Sequence, residues 1–396
     1  MKALVWHGNE DVRVDTVPDP SIEKPTDAII RVTSSGICGS DLHLYAVLKP
    51  FLGEGDILGH EPMGVVEEVG SALKNGGLAV GDRVVIPFNV SCGHCYMCDK
   101  GLQSQCETTQ VHDYGTGASL LGYTKLYGQV PGGQAEFLRV PFANYGPIKV
   151  PEGPPDDRFV YLSDVLPTAW QAVEYADVPE GGTVLVLGLG PIGEMSTRVA
   201  QHRGAGRVIG IDLVPDRLER ARSHGVEVLN LEEHDDIVGT VYEMTDGRGP
   251  ISVIDAVGME AHGSPIGKLA HRLAALLPDA IAQPMVEKAG IDRLAALHLA
   301  IELVQRGGTI SLSGVYGGAV SPMPLLQMFD KQLNVRMGQA NVKRWVDDIL
   351  PLLTGDDDPL GVDGFASHHV PLAEAPQAYE RFQKKQDGTF KVLLKP

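Results

Sequence analysis

The sequence predicts an α/β protein with two domains, a small β-barrel domain and a doubly wound parallel sheet. From Met1 to about Val150 the chain consists of short β-rich runs separated by Gly, Pro and Asp, which is typical of a small barrel or sandwich. From about Thr183 onward, apolar strands alternate with helical stretches, which indicates parallel strands joined by helical crossovers. The length of 396 residues also exceeds one ordinary hydrophobic core, so two domains are expected.

The barrel region contains a group of reactive side chains close to its first predicted strand. We expect strands at residues 28–32, 64–69, 82–86 and 135–140. Shortly after the first of these, a thiol, a hydroxyl, a carboxylate and an imidazole follow one another at Cys38, Ser40, Asp41 and His43. Glycines on either side of the cysteine allow a sharp turn and a close approach of the backbone. This combination predicts the centre of a metal site.

A second pair of possible ligands lies in the same region, at His60 and Glu61. They follow Cys38 along the chain and come just before the strand predicted at 64–69. A His-Glu pair alone carries little information. Beside a glycine-flanked cysteine, however, it supplies a further zinc ligand and a nearby carboxylate.

Four further cysteines form a motif with the spacing C-x2-C-x2-C-x7-C, at Cys92, Cys95, Cys98 and Cys106. Four thiolates on one short segment can close a tetrahedral site without an open position, which is the arrangement of a structural zinc. Disulfides between cysteines so close in the chain are strained and are disfavoured in a reducing compartment. An iron–sulfur centre is the competing interpretation, although the spacings of ferredoxin clusters differ from this one.

The cysteine count constrains the other metal site. The chain has five cysteines, and the four-cysteine motif uses all but Cys38. A catalytic metal bound by Cys38 must therefore complete its ligands with His, Asp or Glu. The candidates in the sequence are His60, Glu61 and Asp164.

A glycine-rich turn opens the second domain. The apolar strand Thr183–Leu187 runs into a G-x-G-x-x-G pattern at Gly188, Gly190 and Gly193, and a helical stretch follows at 194–203. Between a strand and a helix, this pattern is typical of a dinucleotide site. The glycines let a pyrophosphate approach the backbone and lie at the N-terminus of the helix.

The next strand, Arg207–Asp212, ends in an acid. Its distance from the glycine turn is close to the spacing of about 20 residues that dinucleotide-binding motifs show. The Asp212 carboxylate can bind the diol of the adenosine ribose and would repel a 2′-phosphate, which favours NAD over NADP. Arg217 is near enough in sequence to contact the adenosine half, or is a solvated helix residue.

The doubly wound pattern continues with strands at 251–258 and 308–315. The segment between them, 259–306, is much longer than the dozen or so residues that an ordinary crossover needs. We interpret it as an insertion, with a longer surface helix pair as the alternative. The alternation of strands and helices ends after these strands. A helix at 342–353 and a closing strand at 391–394 follow, and both are expected to pack on the barrel domain.

The composition disfavours two classes of partner. The chain has 33 basic and 51 acidic residues and a net charge of −18, which repels a phosphate backbone, so no nucleic-acid partner is expected. No apolar run is long enough to span a membrane, and the first residues lack the features of a signal peptide. We therefore expect no membrane partner and a cytoplasmic location.

The chain resembles the zinc-dependent medium-chain alcohol dehydrogenases in the order of its motifs: Cys38, His60-Glu61, the four cysteines, the G-x-G-x-x-G turn and Asp212. The resemblance covers essentially the whole chain. It implies a GroES-like β-barrel catalytic domain with two zinc ions, one catalytic and one structural, and a Rossmann domain that binds NAD. It also implies a homodimer or homotetramer.

These implied domains give boundaries in the sequence. We expect the GroES-like catalytic domain, with both zinc sites, at residues 1–165 and 339–396. We expect the Rossmann domain at 166–338, with the insertion at about 259–306.

The resemblance assigns metal-site roles position by position. Cys38 and His60 match ligands of the catalytic zinc, and Glu61 matches an acid close behind the metal. Asp41 matches a carboxylate that orients the histidine ligand, a role with its own physical logic because it fixes the ring and its tautomer.

Proton transfer, substrate binding and nicotinamide contact are implied for four further residues. Ser40 and His43 match a proton relay, although His43 could equally be an ordinary surface or core histidine. Phe88 matches a residue that lines the substrate pocket, and Thr168 one that touches the nicotinamide. The expected cofactor-binding residues are Gly188, Gly190, Pro191, Ile192, Gly193, Asp212, Arg217, Val257, Val315 and Lys391, the last of them near the pyrophosphate.

Asp164 departs from the pattern of many family members, which carry a second cysteine ligand at this position. Together with the insertion, this is similar to the branch that contains glutathione-independent formaldehyde dehydrogenase and formaldehyde dismutase. In that branch an aspartate is the third zinc ligand and the extra loop covers the adenosine end of a tightly held NAD. The alternative interpretation of Asp164 is a helix N-cap, since Asp before an apolar run is favoured there.

The expected activity is interconversion of small alcohols and aldehydes by hydride transfer to or from NAD, with formaldehyde oxidation or dismutation as the specific form. An ordinary alcohol or polyol dehydrogenase with exchangeable NAD is the enzymatic alternative. A non-catalytic nucleotide-binding relative is the alternative from another class, and the presence of Cys38 and His60 argues against it.

Overall fold

The structure of the chain, a computed structural model, describes residues 1–46, 48, 51–73, 77–258, 294–316 and 323–396. Most of the insertion expected at 259–306 therefore lies outside the described residues. The chain divides into two compact units. Unit 1 comprises Met1–Pro167 and Ala340–Pro396, and unit 2 comprises Thr168–Gln339.

Strands and mostly short helices alternate along the described residues. The strands are β1 (Lys2–Gly8), β2 (Asp11–Thr16), β3 (Ala28–Ile37), β4 (Glu61–Val69), β5 (Arg83–Val85), β6 (Phe137–Val140), β7 (Ile148–Lys149), β8 (Thr183–Leu187), β9 (Arg207–Asp212), β10 (Glu227–Asn230), β11 (Ser252–Asp255), β12 (Thr309–Leu312), β13 (Asn334–Met337), β14 (His368–Pro371) and β15 (Val392–Lys395). The helices are α1 (Gly39–Ala46), α2 (Tyr96–Asp99), α3 (Asp156–Phe159), α4 (Val165–Ala176), α5 (Pro191–His202), α6 (Pro215–Ser223), α7 (Ile237–Met244), α8 (Ala295–Leu303), α9 (Leu325–Lys331), α10 (Val342–Thr354) and α11 (Ala375–Lys384). Among these described helices, none combines the length and apolar character needed to cross a membrane.

Unit 1 is built on a mostly antiparallel sheet with the strand order β14-β15-β3-β4-β5-β7, and β6 pairs with β3 as well. The C-terminal strand β15 lies antiparallel to β3 and places Val392 opposite Ile37. On the other side of β3, Gly36 lies opposite Glu61 of β4. This register brings together one end of each of three strands that are far apart in sequence, next to Cys38.

A hydrophobic cluster supports this corner of unit 1. It is formed by buried side chains from β1, β3, α1, α11 and β15, among them Leu4, Ile37, Leu44, Tyr379 and Leu394. Burial of such apolar surface is the main favourable term in folding. The junction of β3 and α1 at Cys38 is therefore held on a packed support.

Unit 2 is built on a parallel sheet with the strand order β10-β9-β8-β11-β12-β13. Its central strand β8 has the sequence TVLVL and is almost entirely buried, as expected for a strand covered on both faces. The chain moves outward from β8 to β10 and then returns to place β11 on the other side of β8. This reversal is the switch point at which open α/β sheets bind ligands beyond the carboxyl ends of their strands.

Candidate active site

Four side chains that can bind a metal converge in unit 1: Cys38, His60, Glu61 and Asp164. Each offers one ligand atom, these atoms all lie within 4.8 Å of one another, and all four residues are buried. Oδ2 of Asp164 lies 3.5 Å from Sγ of Cys38 and 3.3 Å from Nε2 of His60. The candidate ligands from the sequence are therefore brought to one point.

The local backbone explains this convergence. Cys38 directly follows β3 and precedes α1, while His60 directly precedes β4. Asp164 lies between a 3-10 turn at Val160–Ser163 and α4. Gly36 has no room for a side chain, because a Cβ there would overlap the carboxylate of Glu61. This glycine, close before the cysteine, thus lets two strands approach closely beside the site.

The carboxylate of Asp41 lies against the imidazole of His60. Nδ1 of His60 lies 2.9 Å from Oδ1 of Asp41, and both side chains are buried. Oδ2 of Asp41 accepts a hydrogen bond of 3.0 Å from the backbone amide of Cys38. An imidazole that donates from Nδ1 presents its Nε2 lone pair to a metal, which is the usual arrangement of a histidine ligand.

The electrostatics of the cluster favour a bound cation. Burial and the neighbouring carboxylates of Asp164 and Glu61 raise the pKa of the Cys38 thiol to about 11. Burial opposes charge on His60, but the Asp41 and Asp164 carboxylates together raise the pKa of its imidazole well above the ordinary value. The neighbouring carboxylates contribute to both shifts, and a divalent cation would neutralise their charge. One sulfur, one nitrogen and one carboxylate oxygen are ligands that suit zinc.

Lys391 has protein partners in unit 1 that the sequence did not indicate. Its ammonium is completely buried, donates to the Glu61 carboxylate, and donates at 3.1 Å to the carbonyl oxygen of Ile37. A buried ammonium needs such partners because its desolvation is costly. The structure therefore gives Lys391 a role in supporting Glu61, while its contact with a pyrophosphate stays a prediction.

Polar and aromatic residues surround His60. Oγ of Ser40 lies 3.3 Å from Nε2 of His60, and His43 follows in the same helix, α1. The rings of Phe88 and Tyr123 lie edge-on to the imidazole, with centroids 6.2 Å from it. The sequence predicted Phe88 at this site but missed Tyr123.

The four-cysteine motif forms a second cluster in unit 1. The sulfur atoms of the four residues lie within 4.8 Å of one another, and none of the five cysteines of the chain forms a disulfide. Backbone amides donate to these sulfurs, from Cys92 to Cys106 at 3.3 Å and from Glu107 to Cys95 at 3.4 Å. Although desolvation acts the other way, amide hydrogen bonds lower the pKa of Cys95 to about 6. Four convergent sulfurs with amide donors fit a closed metal site.

The glycine-rich turn of unit 2 shows what each glycine of the motif does. Gly188 has a φ of +81°, and a Cβ there would lie 2.6 Å from Cγ2 of Val257. A Cβ at Gly193 would overlap the carbonyl oxygen of Gly188. Gly190 is the N-cap of α5, which Pro191 opens and Ile192 continues, and no side chain caps its amides. The uncapped amides at this N-terminus suit a phosphate.

Asp212 lies beside this turn. Its Oδ2 accepts a hydrogen bond of 2.6 Å from the amide of Leu189, and its Oδ1 accepts from Leu213 and Val214 at 2.6 and 2.9 Å. Arg217 approaches the same carboxylate, with Nη1 at 3.8 Å from Oδ2. The acid that ends β9 is thus fixed beside the residue between the first two glycines.

The other residues expected to contact the nicotinamide or the rest of the cofactor lie in or after three elements of the chain. Thr168 is half-buried in α4, Val257 is half-buried after β11, and Val315 is exposed after β12. Asp255 accepts hydrogen bonds from the amides of Val257 and Gly258 at 2.9 and 3.1 Å, and from the hydroxyl of Tyr316. This buried carboxylate holds the loops that follow β11 and β12, and no sequence motif indicated it.

Two family models match the chain. The alcohol dehydrogenase GroES-like domain matches residues 24–152, and the zinc-binding dehydrogenase model matches residues 191–271. An uncharacterized zinc-type alcohol dehydrogenase-like protein of Bacillus subtilis is 42% identical over 100% of both chains. Formaldehyde dismutase of Pseudomonas putida is 29% identical over 99% of this chain and 97% of its own.

A solved structure supports the same relationship. The alcohol dehydrogenase TADH from Thermus sp. ATN1 has a TM-score of 0.82 and 36% identity, and the comparison covers 100% of both chains. The two units therefore correspond to a GroES-like domain and a Rossmann-like parallel sheet. The protein belongs to the zinc-dependent medium-chain alcohol dehydrogenases, a family of oxidoreductases.

Proposed function

We propose that this protein interconverts small alcohols and aldehydes by hydride transfer with NAD, and that formaldehyde is its specific substrate. The observation that carries the proposal is the convergence of Cys38, His60 and Asp164 on one buried point. A sulfur, a nitrogen and one carboxylate oxygen make a three-ligand set, which is the number that catalytic zinc sites use to keep a position open.

Unit 1 would act as the catalytic domain and unit 2 as the NAD domain. The bound zinc supplies a Lewis acid for the substrate oxygen, and NAD supplies the acceptor or donor of hydride. Cys38, His60 and Asp164 would hold the zinc, with Asp41 placed against the imidazole. Glu61, itself paired with Lys391, adds a carboxylate beside these ligands.

Proton transfer is assigned to the polar residues next to His60. Ser40 lies beside Nε2 of His60, where its hydroxyl can accept a proton from the substrate hydroxyl and pass it on. His43, one turn along α1, is the next carrier toward solvent. Phe88 and Tyr123 flank the imidazole, where their rings would shield it from water. Exclusion of water strengthens the electrostatic interactions inside the site.

The four cysteines would bind a second zinc with a structural role. Their four sulfurs would fill all four positions of a tetrahedral zinc, which leaves no position for substrate. A closed site of this kind contributes folding free energy when it binds metal. Two zinc ions per chain are therefore expected.

NAD would bind at the glycine-rich turn of unit 2. Its pyrophosphate would face the uncapped amides of α5, between Gly190 and Gly193. The Asp212 carboxylate would accept the ribose hydroxyls and repel a 2′-phosphate, which favours NAD over NADP. Arg217 would contact the adenosine half.

Formaldehyde is favoured as substrate by two features of the chain. Asp164 replaces the cysteine that many family members carry, and the long segment 259–306 separates the strands predicted at 251–258 and 308–315. The similarity to formaldehyde dismutase of Pseudomonas putida supports the same assignment. If NAD stays bound between turnovers, two formaldehyde molecules and one water become one formic acid and one methanol without added cofactor. A homodimer or homotetramer is expected.

The test is purification of the full chain without added nucleotide, followed by three measurements. Zinc is measured by elemental analysis, bound nucleotide by chromatography after denaturation, and turnover with formaldehyde, short alcohols and polyols, each with and without NAD. Two zinc ions, bound NAD and formate plus methanol from formaldehyde alone support the proposal. Oxidation of short alcohols or polyols with added NAD, without turnover of formaldehyde, would overturn the formaldehyde assignment. A zinc-loaded chain inactive on every substrate would overturn the proposed activity.

A further inference from the structure

Gln134 is a buried residue whose backbone is tied to the framework around the candidate zinc site. Its amide donates at 3.0 Å to the carbonyl oxygen of Leu58, which lies just before His60 in the chain, and its carbonyl oxygen accepts from Leu4 at 2.8 Å. The side chain is completely buried. Its position is therefore set by the framework of unit 1.

The side-chain amide of Gln134 makes three hydrogen bonds that determine its orientation. Nε2 donates to the carbonyl oxygen of Gly36 at 3.0 Å and to Oδ2 of Asp41 at 3.3 Å. Oε1 accepts from the hydroxyl of Tyr379 at 2.8 Å. The opposite orientation would set Oε1 against two acceptors, so the amide has one satisfied arrangement.

These contacts continue directly to the metal ligand. Asp41 accepts from Gln134 on Oδ2, and its Oδ1 lies 2.9 Å from Nδ1 of His60, so a continuous series of side-chain contacts runs from Tyr379 through Gln134 and Asp41 to His60. The first three of these residues are completely buried and His60 nearly so. Burial raises the pKa of Tyr379 well above its ordinary range, so its hydroxyl keeps the proton that it donates.

Gln134 also contacts the backbone next to His60. Gly59 has a φ of +98°, and a Cβ at this residue would overlap Cγ of Gln134. The same side chain therefore packs against the residue that precedes the ligand and hydrogen-bonds to the carboxylate that orients it. These are two independent routes from Gln134 to His60.

We propose that Gln134 is a positioning residue for the zinc ligand His60, acting through Asp41, and that Tyr379 fixes the orientation of Gln134. The inference rests on the proposed zinc site. Without the Gln134 amide, Asp41 keeps the Cys38 amide as its donor on Oδ2, and its carboxylate gains freedom to rotate. A rotating carboxylate holds the imidazole less firmly, and the zinc ligand set becomes less well defined.

The test uses Gln134→Met, Tyr379→Phe and the double variant, each as the full zinc-loaded chain. Methionine keeps the length of the side chain and removes its hydrogen bonds, while phenylalanine removes a single hydroxyl. Two quantities are measured: the rate of zinc release from the Cys38 site to the chelator 4-(2-pyridylazo)resorcinol, and the ligand-field spectrum of the cobalt-substituted protein. Gln171→Met is the matched control, because Gln171 is also buried but donates to the carbonyl oxygens of Gly338 and Gln339.

We expect Gln134→Met to speed zinc release by about tenfold, the lower end of the range for partners of metal ligands. The cobalt bands should shift, and kcat should fall. Tyr379→Phe should act in the same direction, more weakly, and should add little in the double variant because it acts through Gln134. The control should leave zinc release and the cobalt spectrum unchanged.

Two results would overturn the inference in different ways. Folded Gln134 and Tyr379 variants with wild-type zinc release and cobalt spectra would show that these residues do not position His60. A wild-type chain that holds zinc only at the four cysteines would overturn the proposed catalytic zinc site itself. Since zinc release and spectra need no substrate, neither outcome depends on the formaldehyde assignment.

Discussion

Oδ1 of Asp41 lies 2.9 Å from Nδ1 of His60, completely buried and on the side of the imidazole away from Cys38 and Asp164. A carboxylate at this distance favours the imidazole tautomer that carries its proton on Nδ1. An asparagine in place of Asp41 could present its amide nitrogen to Nδ1, or hold the imidazole with an uncharged oxygen. Either arrangement makes Nε2 a poorer ligand.

We therefore predict that Asp41→Asn lowers the zinc affinity of the Cys38 site by about 10- to 100-fold. Competition with a chelator measures the affinity, and elemental analysis shows whether the four-cysteine site remains loaded. Asp56→Asn is the control, since Asp56 accepts hydrogen bonds from Gly53 and Gln129 in the same unit without contacting a candidate ligand. Equal zinc affinity in Asp41→Asn and the wild type would contradict the prediction.

Asp164 offers the sharpest test of the candidate ligand set. Its Oδ2 is the atom that lies within 3.5 Å of both Cys38 and His60, so alanine removes one of three ligands. We predict that Asp164→Ala reduces the zinc content from two ions per chain to one and abolishes turnover, because two ligands hold zinc weakly.

A ligand removed from the other cluster distinguishes the two sites. Cys106→Ser should also lose one zinc, but from the closed site, and should lower the thermal midpoint of unfolding because metal binding there contributes to folding. Asp164→Ala should change that midpoint less. Two zinc ions in purified Asp164→Ala would remove Asp164 from the ligand set.

The features that the sequence predicted share a local or compositional signal. The four cysteines lie within one short segment, and the glycine turn lies between a strand and a helix, so spacing alone identifies both. The cysteine count then required ligands other than thiols beside Cys38. The family and the fold class that these motifs implied are confirmed by the family models and by the parallel sheet.

The features that the sequence missed depend on tertiary contacts between distant residues. Tyr379 and Gln134 lie far apart in the chain, and neither belongs to a motif. The partners of Lys391 are a second case, because the pairing of β15 with β3 carries this residue from near the C-terminus to Ile37 and Glu61. Register between non-consecutive strands is fixed by packing of the whole sheet, so no window of sequence contains it.

The last glycine of the turn differs from the middle one in steric freedom, which gives a matched pair of substitutions. A methyl group at Gly193 would overlap the carbonyl oxygen of Gly188, whereas one at Gly190 would meet nothing closer than Nη1 of Arg217 at 3.5 Å. We predict that Gly193→Ala costs about 1–3 kcal/mol of stability through overpacking. Gly190→Ala should change it by less than about 0.5 kcal/mol.

Thermal unfolding and titration with NADH, followed by nicotinamide fluorescence, separate these effects. Gly193→Ala should unfold at a lower temperature and bind NADH weakly, because the turn must open to admit the methyl group. If both alanine variants have the thermal midpoint of the wild type, close packing between the turn and α5 is not the reason for a glycine at position 193.

Asp212 should set the preference between NAD and NADP. Replacing it by serine removes the negative charge that repels a 2′-phosphate and leaves Arg217, now without that carboxylate, as a phosphate partner. We predict that Asp212→Ser raises the ratio of kcat/KM for NADP to that for NAD by about 10- to 100-fold, or about 1.4–2.8 kcal/mol.

Asp212→Asn checks the reason for that change. Asparagine keeps an acceptor for the amides of Leu213 and Val214 but carries no charge, so it should shift the ratio in the same direction with less disturbance of the turn. A serine variant that loses NAD binding without gaining NADP would mean that Asp212 acts only as a structural acceptor.

Asp255, in unit 2, gives a prediction on pH dependence. Its carboxylate is completely buried, and burial raises its pKa although Tyr316 and two backbone amides donate to it. Because the folded state then has the higher pKa, Asp255 contributes most to stability below the pKa of the unfolded chain, about 3.9. That contribution is lost as the pH rises through the folded pKa.

An asparagine in place of Asp255 cannot ionise and can still accept from the amides of Val257 and Gly258. We therefore predict that the stability of Asp255→Asn relative to the wild type increases from pH 4.5 to pH 8, by about 1.4 kcal/mol for each unit of pKa difference between the folded and unfolded states. Thermal midpoints at a series of pH values measure this, with the exposed Glu243→Gln as the control that should follow the wild type. A difference between Asp255→Asn and the wild type that stays constant with pH, or shrinks as the pH rises, would mean that the Tyr316 and amide hydrogen bonds outweigh burial at this carboxylate.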